Sequence, residues 1–388
     1  MKILMVSSYL PYPLFNGGNI RLYNLLKYLS KDHEITLICE KRKYQTEKDV
    51  EEVKKFCKKL ITVDRRKQWT FKNIINSLFS LDPFLIVGHT SSEMKKKISK
   101  ELIENNFDLI HVETFYVFQN LPKTEIPIIL AEHNIEYLVY KRYADHALPY
   151  IRPLLNLDIL KIKKKEKQAW GKATKLIVVS GKEKEISKKD ASIVPNGVDI
   201  DKFKMQDTNL KFEEKEKRIL FIGDFSWIEN VDSAKWILKN IWPKINLKFN
   251  IKLWIVGRKI PKSLRNLSDK NVIFDENVLD TVEAYRKSFI LLSPIKIGGG
   301  TSFKILEAMA SGVPVVTTAL GAEGIGDKND LIIADTTEGI INSLENLLLD
   351  RNLYEKITKN ARRTVEEKFD WKEIAKKLDN VYREILNG

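Results

Sequence analysis

Lys304 and Glu307 stand three residues apart within Ile295–Gly312, IKIGGGTSFKILEAMASG, and their types and spacing suggest chemistry. Three consecutive glycines, Gly298, Gly299 and Gly300, allow a backbone to approach a ligand closely, and Thr301 or Ser302 is placed to cap the helix that follows. Amides at such a helix start point outward with the positive end of the helix dipole behind them, which suits a phosphate. Lys304 falls in the first turn, where a cation is disfavoured unless something negative lies in front of it. Glu307 shares a helix face with Lys304, so its carboxylate could accept hydrogen bonds from sugar hydroxyls while the loop holds phosphates. The competing reading is a glycine-rich turn beside a solvated Lys and Glu. The misplaced lysine, the acid on its face and the position directly after a strand favour the ligand.

Further candidates lie in the first half. Gly17 and Gly18 follow an apolar strand and precede a helix with Leu22, Leu25, Leu26 and Leu29 at core spacing. His111-Val112-Glu113 and Glu132-His133-Asn134 follow two more strands. His111 also reads as a satisfied core histidine, and Asn134 as a helix cap. If the strands share one parallel sheet, these side chains converge at its carboxyl edge, where open α/β sheets bind ligands.

The elements that would position them alternate. Strands are expected at Lys2–Val6, Glu34–Cys39, Leu60–Val63, Asp108–Val112, Ile126–Leu130 and Lys175–Val179, with helices between them. Phe71–Val87 is assigned to neither a strand nor a helix, and one long helical stretch is expected to run to Lys172. After the turn Ile193–Asp199 and a polar run from Asp201 to Lys217, a second alternation begins at Arg218. Regular strand–helix alternation predicts parallel sheets covered on both faces. The expected fold class is therefore α/β, with two Rossmann-like doubly wound domains, 1–199 and 200–370, facing across a cleft.

A chain of 388 residues, 43% hydrophobic and 30% charged, can bury a core in each of two domains. Its two cysteines, Cys39 and Cys57, form no CxxC, which argues against a disulfide framework and for a reducing cytoplasm. The first apolar run is too short for a signal peptide, and no run of about 18 apolar residues occurs. The net charge of +14 is uneven: residues 1–200 carry 35 Lys/Arg against 24 Asp/Glu. Arg65-Arg66-Lys67 before Trp69 and Phe71, and the Lys161–Lys165 run, suit an anionic membrane surface. No recognised nucleic-acid motif accompanies the charge, so nucleic acid is not an expected partner. The five histidines lack zinc spacing, and HExxH, P-loop, GxGxxG and GxSxG motifs are absent. Asp199-Ile200-Asp201 reads as capping or solvated. Neither a metal nor a cofactor is expected.

Together the motifs resemble the GT-B glycosyltransferases of group 1, or family 4. The resemblance rests on Gly17-Gly18, Asp108-Leu109-Ile110-His111, Val194-Pro195-Asn196-Gly197-Val198-Asp199, Phe221-Ile222-Gly223, Leu253–Gly257, Lys304–Val316 and Phe369-Asp370-Trp371. It implies a nucleotide-sugar donor held mainly by the second domain, an acceptor held mainly by the first, a final helix, 371–388, packing back on the first, and a retaining mechanism. Glu307 matches the family's ribose-binding glutamate. The glutamate usual eight positions earlier is replaced by Gly299. The Arg and Lys that often clamp the diphosphate after the first strand of the second domain are missing from Gly223–Asn230. Where many members have two histidines separated by one residue, this chain has His111 and Glu113.

The expected reaction is transfer of a hexosyl group from a nucleoside diphosphate sugar to a hydroxyl of a glycan or lipid-linked glycan. Gly17, Gly18, Gly298–Ser302, Lys304 and Glu307 would hold the donor, and His111, Glu113 or His133 would orient the reacting sugar or its acceptor. The expected setting is the cytoplasm, peripheral on the inner face of the membrane. The rival readings are a nucleotide-sugar epimerase of similar architecture and a non-catalytic basic binding protein.

Overall fold

The computed structural model describes residues 1–145, 147–205, 212, 216–276, 278, 280–296 and 301–387. It divides into two compact units: residues Met1–Val194 with Ile374–Gly388, and residues Pro195–Glu373.

Unit 1 is built on seven parallel strands: β1 (Lys2–Ser7), β2 (Glu34–Lys41), β3 (Lys59–Asp64), β4 (Leu109–Glu113), β5 (Ile128–Ala131), β6 (Lys175–Val178) and β7 (Ala191–Ile193). Their order is β3-β2-β1-β4-β5-β6-β7, so the winding reverses between β1 and β4. Those two strands pair with Met5 beside His111 and Ser7 beside Glu113. The crevice at the carboxyl end of such a reversal is where doubly wound sheets accept ligands.

Unit 2 repeats the plan with β8 (Arg218–Ile222), β9 (Lys252–Val256), β10 (Val272–Asp275), β11 (Ile290–Ser293), β12 (Val315–Thr317) and β13 (Ile332–Ile333). The order is β10-β9-β8-β11-β12-β13, all parallel, with the reversal between β8 and β11. Side chains of a strand alternate between faces. Ile219, Phe221, Leu253 and Ile255 accordingly pack with Ile237, Trp242, Leu344 and Leu347. Leu220, Ile222, Trp254 and Val256 pack with Ile305, Leu306 and Met309 on the opposite face. With both faces covered, the strands read as unbroken apolar runs, which is why they were legible as buried parallel strands.

The two α/β sheets agree with the expected fold class, and four local expectations change. Phe71–Val87 contains two short helices, Phe71–Phe79 and Phe84–His89. The long helical stretch is two helices, Glu136–Asp145 and Arg152–Lys172, the second with Pro153 in its first turn, where the missing N–H of proline costs no helical hydrogen bond. Ala191–Ile193 forms the edge strand β7, ending at Ile193, where the turn was expected to begin. Beyond it Val198 does not simply turn: its amide donates to Phe369 O at 2.8 Å, in a parallel bridge with Asp370. Gly197 makes that bridge feasible, because a Cβ there would lie 2.8 Å from the Trp371 ring and 2.9 Å from Phe369 O.

Two loops of unit 2 are held together at the carboxyl edge of the sheet. Gly257, with φ +151°, occupies a conformation that favours glycine, and a Cβ there would lie 1.7 Å from Gly223 O. The close approach lets Gly223 N donate to Val256 O and Phe225 N to Arg258 O, both at 3.0 Å. The loops that follow β8 and β9 thus form one rim beside the reversal.

Candidate active site

In unit 1 the polar residues expected at strand ends do come together. Glu113, the last residue of β4, is fully buried, with His111 Nε2 3.2 Å from Oε2 and His133 Nε2 3.2 Å from Oε1. Arg21 Nε lies 3.9 Å from Oε1, and its Nη2 donates to Val194 O at 2.9 Å. His111 Nδ1 is 2.8 Å from the Tyr382 hydroxyl, contributed by the helix Trp371–Asn387. The same helix brings Asp379 to 2.8 Å from His33 Nε2. Burial by itself would raise the Glu113 carboxyl. The charges of His133 and His111 and the His111 hydrogen bond outweigh it and hold the group well below its ordinary range.

The backbone just beyond Glu113 is strained. Thr114 has φ 71° and ψ 145°, a region a β-branched residue rarely enters. Its amide donates to Ala131 O at 3.0 Å and its hydroxyl lies 3.3 Å from Ser8 Oγ, so neighbouring strands hold the turn. Conformations costing about 1–3 kcal/mol of this kind gather at functional sites.

Gly17 and Gly18 open the helix Gly17–Leu29, which Asn16 caps by accepting from Asn19 N. The first amides of a helix have no partner within it and point out of its end. Gly18 lets Tyr9 approach closely, since a Cβ there would meet the Tyr9 hydroxyl at 3.1 Å. Among the described residues, Tyr9 Oη, Glu113 Oε1 and His133 Nε2 are buried polar atoms without a hydrogen-bond partner. His133 and Glu113 lie near each other, but off hydrogen-bond alignment. Unsatisfied polar atoms so close together ask for a ligand's groups, because each costs free energy while unmet.

Sequence reasoning found His111, Glu113, His133, Gly17 and Gly18 but missed Tyr9, Arg21 and Tyr382. Arg21 carried a faint signal, as a cation in a turn otherwise facing the core beside Leu22. Tyr382 carried none, since it reaches His111 across 271 positions.

A second group of acids, flanking His133, makes the unit sensitive to pH. Glu132 Oε1 accepts from Trp170 Nε1 at 3.1 Å, and Glu166 accepts from the amides of Glu136 at 2.7 Å and Tyr137 at 3.3 Å. Burial raises all three carboxyls; Glu136 reaches about 7 despite its bond to Tyr116, and the neighbouring carboxyls raise Glu132 and Glu166 further. Unfolded glutamates titrate near about 4.3, so above that pH the unfolded chain sheds protons that the folded chain keeps. Folding stability is therefore expected to fall as pH rises from about 5 to about 8. Urea unfolding across that range measures the trend, and a stability that climbs steadily instead would contradict the burial of these acids.

In unit 2, Gly298, Gly299 and Gly300 lie outside the described residues. Thr301 is buried, and its carbonyl accepts from Asn196 Nδ2 at 3.0 Å. The helix Phe303–Ala310 starts after Ser302, whose side chain makes no capping bond, and its first turn has no acid. Ser302 thus does not supply the expected cap, and Lys304 is the charged residue of the helix's first turn. Lys304 Nζ donates to Asn230 Oδ1 at 2.7 Å and lies 5.1 Å from the Phe221 ring centroid. Burial lowers its ammonium to about 8, against the pull of Glu229 and Glu307. Glu307 Oε2 accepts from the Tyr285 hydroxyl at 2.9 Å. Burial pushes Glu307 up to about 7, although Tyr285, Lys202 and Lys304 all favour its charged form.

The loop after β8 lacks its own cations, as read from sequence, yet it is not without them. Asn230 Nδ2 donates to Asp224 O at 2.8 Å, and Asp224 Oδ2 accepts from Arg258 Nη2 at 2.7 Å. Lys304, from the helix Phe303–Ala310, and Arg258, from the loop after β9, therefore reach the loop where an Arg and a Lys were sought. Asn230, Tyr285 and Arg258 escaped sequence reasoning because each acts through a neighbour distant in the chain. Asp199 behaves as expected, its Oδ1 accepting from the amides of Asp201 and Lys202. Among the described residues no group of three or more His, Cys, Asp or Glu side chains is arranged to hold a metal ion.

A family model for glycosyltransferase family 4 matches residues 15–202, and one for glycosyl transferases group 1 matches residues 216–350. A protein in the cps region of Klebsiella pneumoniae is 23% identical over 391 aligned positions, covering 96% of this chain and 97% of its own. The capsular polysaccharide biosynthesis glycosyltransferase CapM of Staphylococcus aureus is 26% identical over 206 positions, covering 49% of this chain and 53% of its own. The crystal structure of Anabaena HepE, in complex with UDP and glucose, superposes with a TM-score of 0.66 over 99% of this chain and 100% of HepE at 14% identity. With one model on each sheet and a solved GT-B neighbour matching along both, the chain belongs to the group 1, family 4 glycosyltransferases and has their GT-B fold.

Proposed function

We propose that this glycosyltransferase moves a hexosyl group from a nucleoside diphosphate sugar to a hydroxyl of a glycan or lipid-linked glycan, with retention of configuration and without a metal. In the reaction the bond from the anomeric carbon to the diphosphate oxygen breaks and one to the acceptor oxygen forms. The acceptor's proton leaves with the released diphosphate. Charge builds on that diphosphate, so groups already aimed at it do most to lower the barrier. The helix start at Phe303 and Lys304 supply them in unit 2, and Glu307 accepts from the donor's hydroxyls. The His111–Glu113–His133 cluster of unit 1 orients the sugar or its acceptor, with the Gly17 and Gly18 amides beside it.

The observation that carries this reading is the acid-free start of the Phe303–Ala310 helix at the reversal of sheet 2, with Lys304 and Glu307 on it. HepE, of the same fold, is solved with UDP and glucose, and CapM belongs to polysaccharide biosynthesis. Both support a sugar nucleotide as donor and a glycan as acceptor. Free thiols at Cys39 and Cys57 suit a reducing cytoplasm. Among the described residues no helix is long and apolar enough to cross a membrane. We place the reaction on the inner membrane face.

A thermal-shift series with UDP-, GDP-, ADP- and CMP-sugars tests the donor. One base is expected to stabilise the chain by about 2.7 kcal/mol when present at about a hundred times its dissociation constant. No stabilisation by any of them removes the reading. Turnover that persists in EDTA and a product retaining the donor's anomeric configuration by NMR are the expected results. An isomerised sugar nucleotide formed from donor alone would mark an epimerase instead.

A further inference from the structure

Residues 69–81 of unit 1 hold large apolar side chains in water. Trp69, Phe71, Phe79 and Leu81 are each at least 74% exposed, and Ile74, Ile75 and Leu78 are open as well. The helix Phe71–Phe79 is properly started, Thr70 accepting from Asn73 N, yet the residue it buries is Ser77. Its amphipathicity is inverted: a polar residue faces the protein and the apolar ones face outward.

Polar contacts hold the helix in that attitude. Ser77 Oγ donates to Asp158 Oδ1 at 3.3 Å, Phe84 N donates to the same oxygen at 2.9 Å, and Lys161 Nζ donates to Ser77 O at 2.6 Å. Lys165 pairs with Asp82 at 2.5 Å. The helix supplying these contacts, Arg152–Lys172, also exposes Leu154, Leu157 and Leu160. A groove of about 740 Å³ opens beside the apolar residues, lined by Arg66, Lys67, Lys72, Ile75, Phe79 and Val87 among others.

The charge around this face has one sign. Arg66, Lys67, Lys72, Lys163 and Lys164 are exposed, whereas the acids within 65–82 and 148–167 are Asp82, paired with Lys165, Asp158, bonded as above, and the buried Glu166. A second copy would bring the same cations against them, and like charges oppose each other across an interface. An anionic bilayer meets both demands, taking aromatic and aliphatic tips at the headgroup boundary and lysines and arginines among the phosphates.

We propose that the helix Phe71–Phe79, with Trp69, Leu81 and the adjoining face of the helix Arg152–Lys172, docks this protein on an anionic lipid bilayer. The proposal names the surface by which the transferase would meet a membrane-borne acceptor, and it rests on the proposed function only for that purpose.

Co-sedimentation with vesicles tests it. The intact chain is expected to sediment with phosphatidylglycerol–phosphatidylcholine vesicles at least about tenfold more strongly than with phosphatidylcholine alone, and less as salt is raised. Phe71→Asp/Phe79→Asp and, separately, Lys67→Glu/Lys72→Glu should each lower that partitioning at least about tenfold, with thermal melting and donor binding unchanged. Absence of wild-type binding to the anionic vesicles, or equal binding by both double variants, would overturn the proposal. So would a dimer in sedimentation equilibrium that the aspartate variant dissolves, which would make the occupant a second copy. Donor calorimetry on the same preparation separates the two readings: vesicle binding without donor binding spares the surface and removes the transferase donor, and the reverse result does the opposite.

Discussion

Glu307→Ala is expected to weaken binding of the donor about a hundredfold while leaving the fold intact. A hydrogen bond to a charged group contributes about 1.5–3 kcal/mol, and losing two hydroxyl contacts of that kind corresponds to two decades or more in affinity. The side chain is half-buried and its Oε2 already accepts from Tyr285, which sets the orientation of the carboxylate toward further donors. Stability should change little, because burial disfavours the charged form and alanine removes that cost. Calorimetry with the best stabilising sugar nucleotide measures the loss, and an unchanged affinity would refute the assignment of this helix face. A carboxyl pushed up to about 7 adds a pH signature. Below that value the free protein holds a proton that must leave before the carboxylate can accept, so affinity should fall by up to about tenfold per unit as pH drops. Glu307→Gln should flatten that dependence.

The second large effect belongs to Glu113. Removing one partner of a buried charge cluster leaves the others uncompensated, so Glu113→Ala is expected to cost about 3–5 kcal/mol. Arg21, His111 and His133 would all face the space left behind. The sign follows from the depressed carboxyl: its contribution is complete above the unfolded value of about 4.3 and fades progressively as pH falls below that value toward the folded one. At neutral pH the full contribution is at stake. Glu113→Gln separates chemistry from scaffolding, since it keeps the shape and one acceptor. Turnover should fall at least about a hundredfold, because the histidines lose the charge that orients them, while donor affinity falls less than about tenfold. Near-native turnover in the glutamine variant would show that the cluster only supports the fold.

Both residues were legible in the sequence, but for different reasons. Lys304 and Glu307 lie on one short helix, so a three-residue spacing already puts them on one face. Their partners were not legible: Asn230 lies 74 positions from Lys304, and Tyr285 reaches Glu307 from another helix. Glu113 was found because it closes a strand, yet what makes it unusual is its company. Tyr382 joins through His111 from 271 positions away, and Arg21 comes from the helix after β1. Thr301 or Ser302 was expected to cap; Ser302 stands at the cap position and its side chain makes no such bond, since position in a sequence shows which side chain could bond an amide but not which rotamer packing selects. The helix Phe71–Phe79 carries apolar residues at 71, 74, 75, 78 and 79, the spacing of one helix face, but that spacing does not say whether the face turns inward or, as here, outward.

The sequence by itself determined the two parallel sheets, because apolar runs of strand length alternating with amphipathic helices have few other ways to cover both faces. It also determined where glycine loops and chemically able side chains fall relative to strand ends. Only the tertiary structure decided that the winding reverses between β1 and β4 and between β8 and β11, and so which strand ends stand side by side. Strand order is settled by the packing of a whole core, whose contacts join residues far apart in the chain. Local spacing does not encode them.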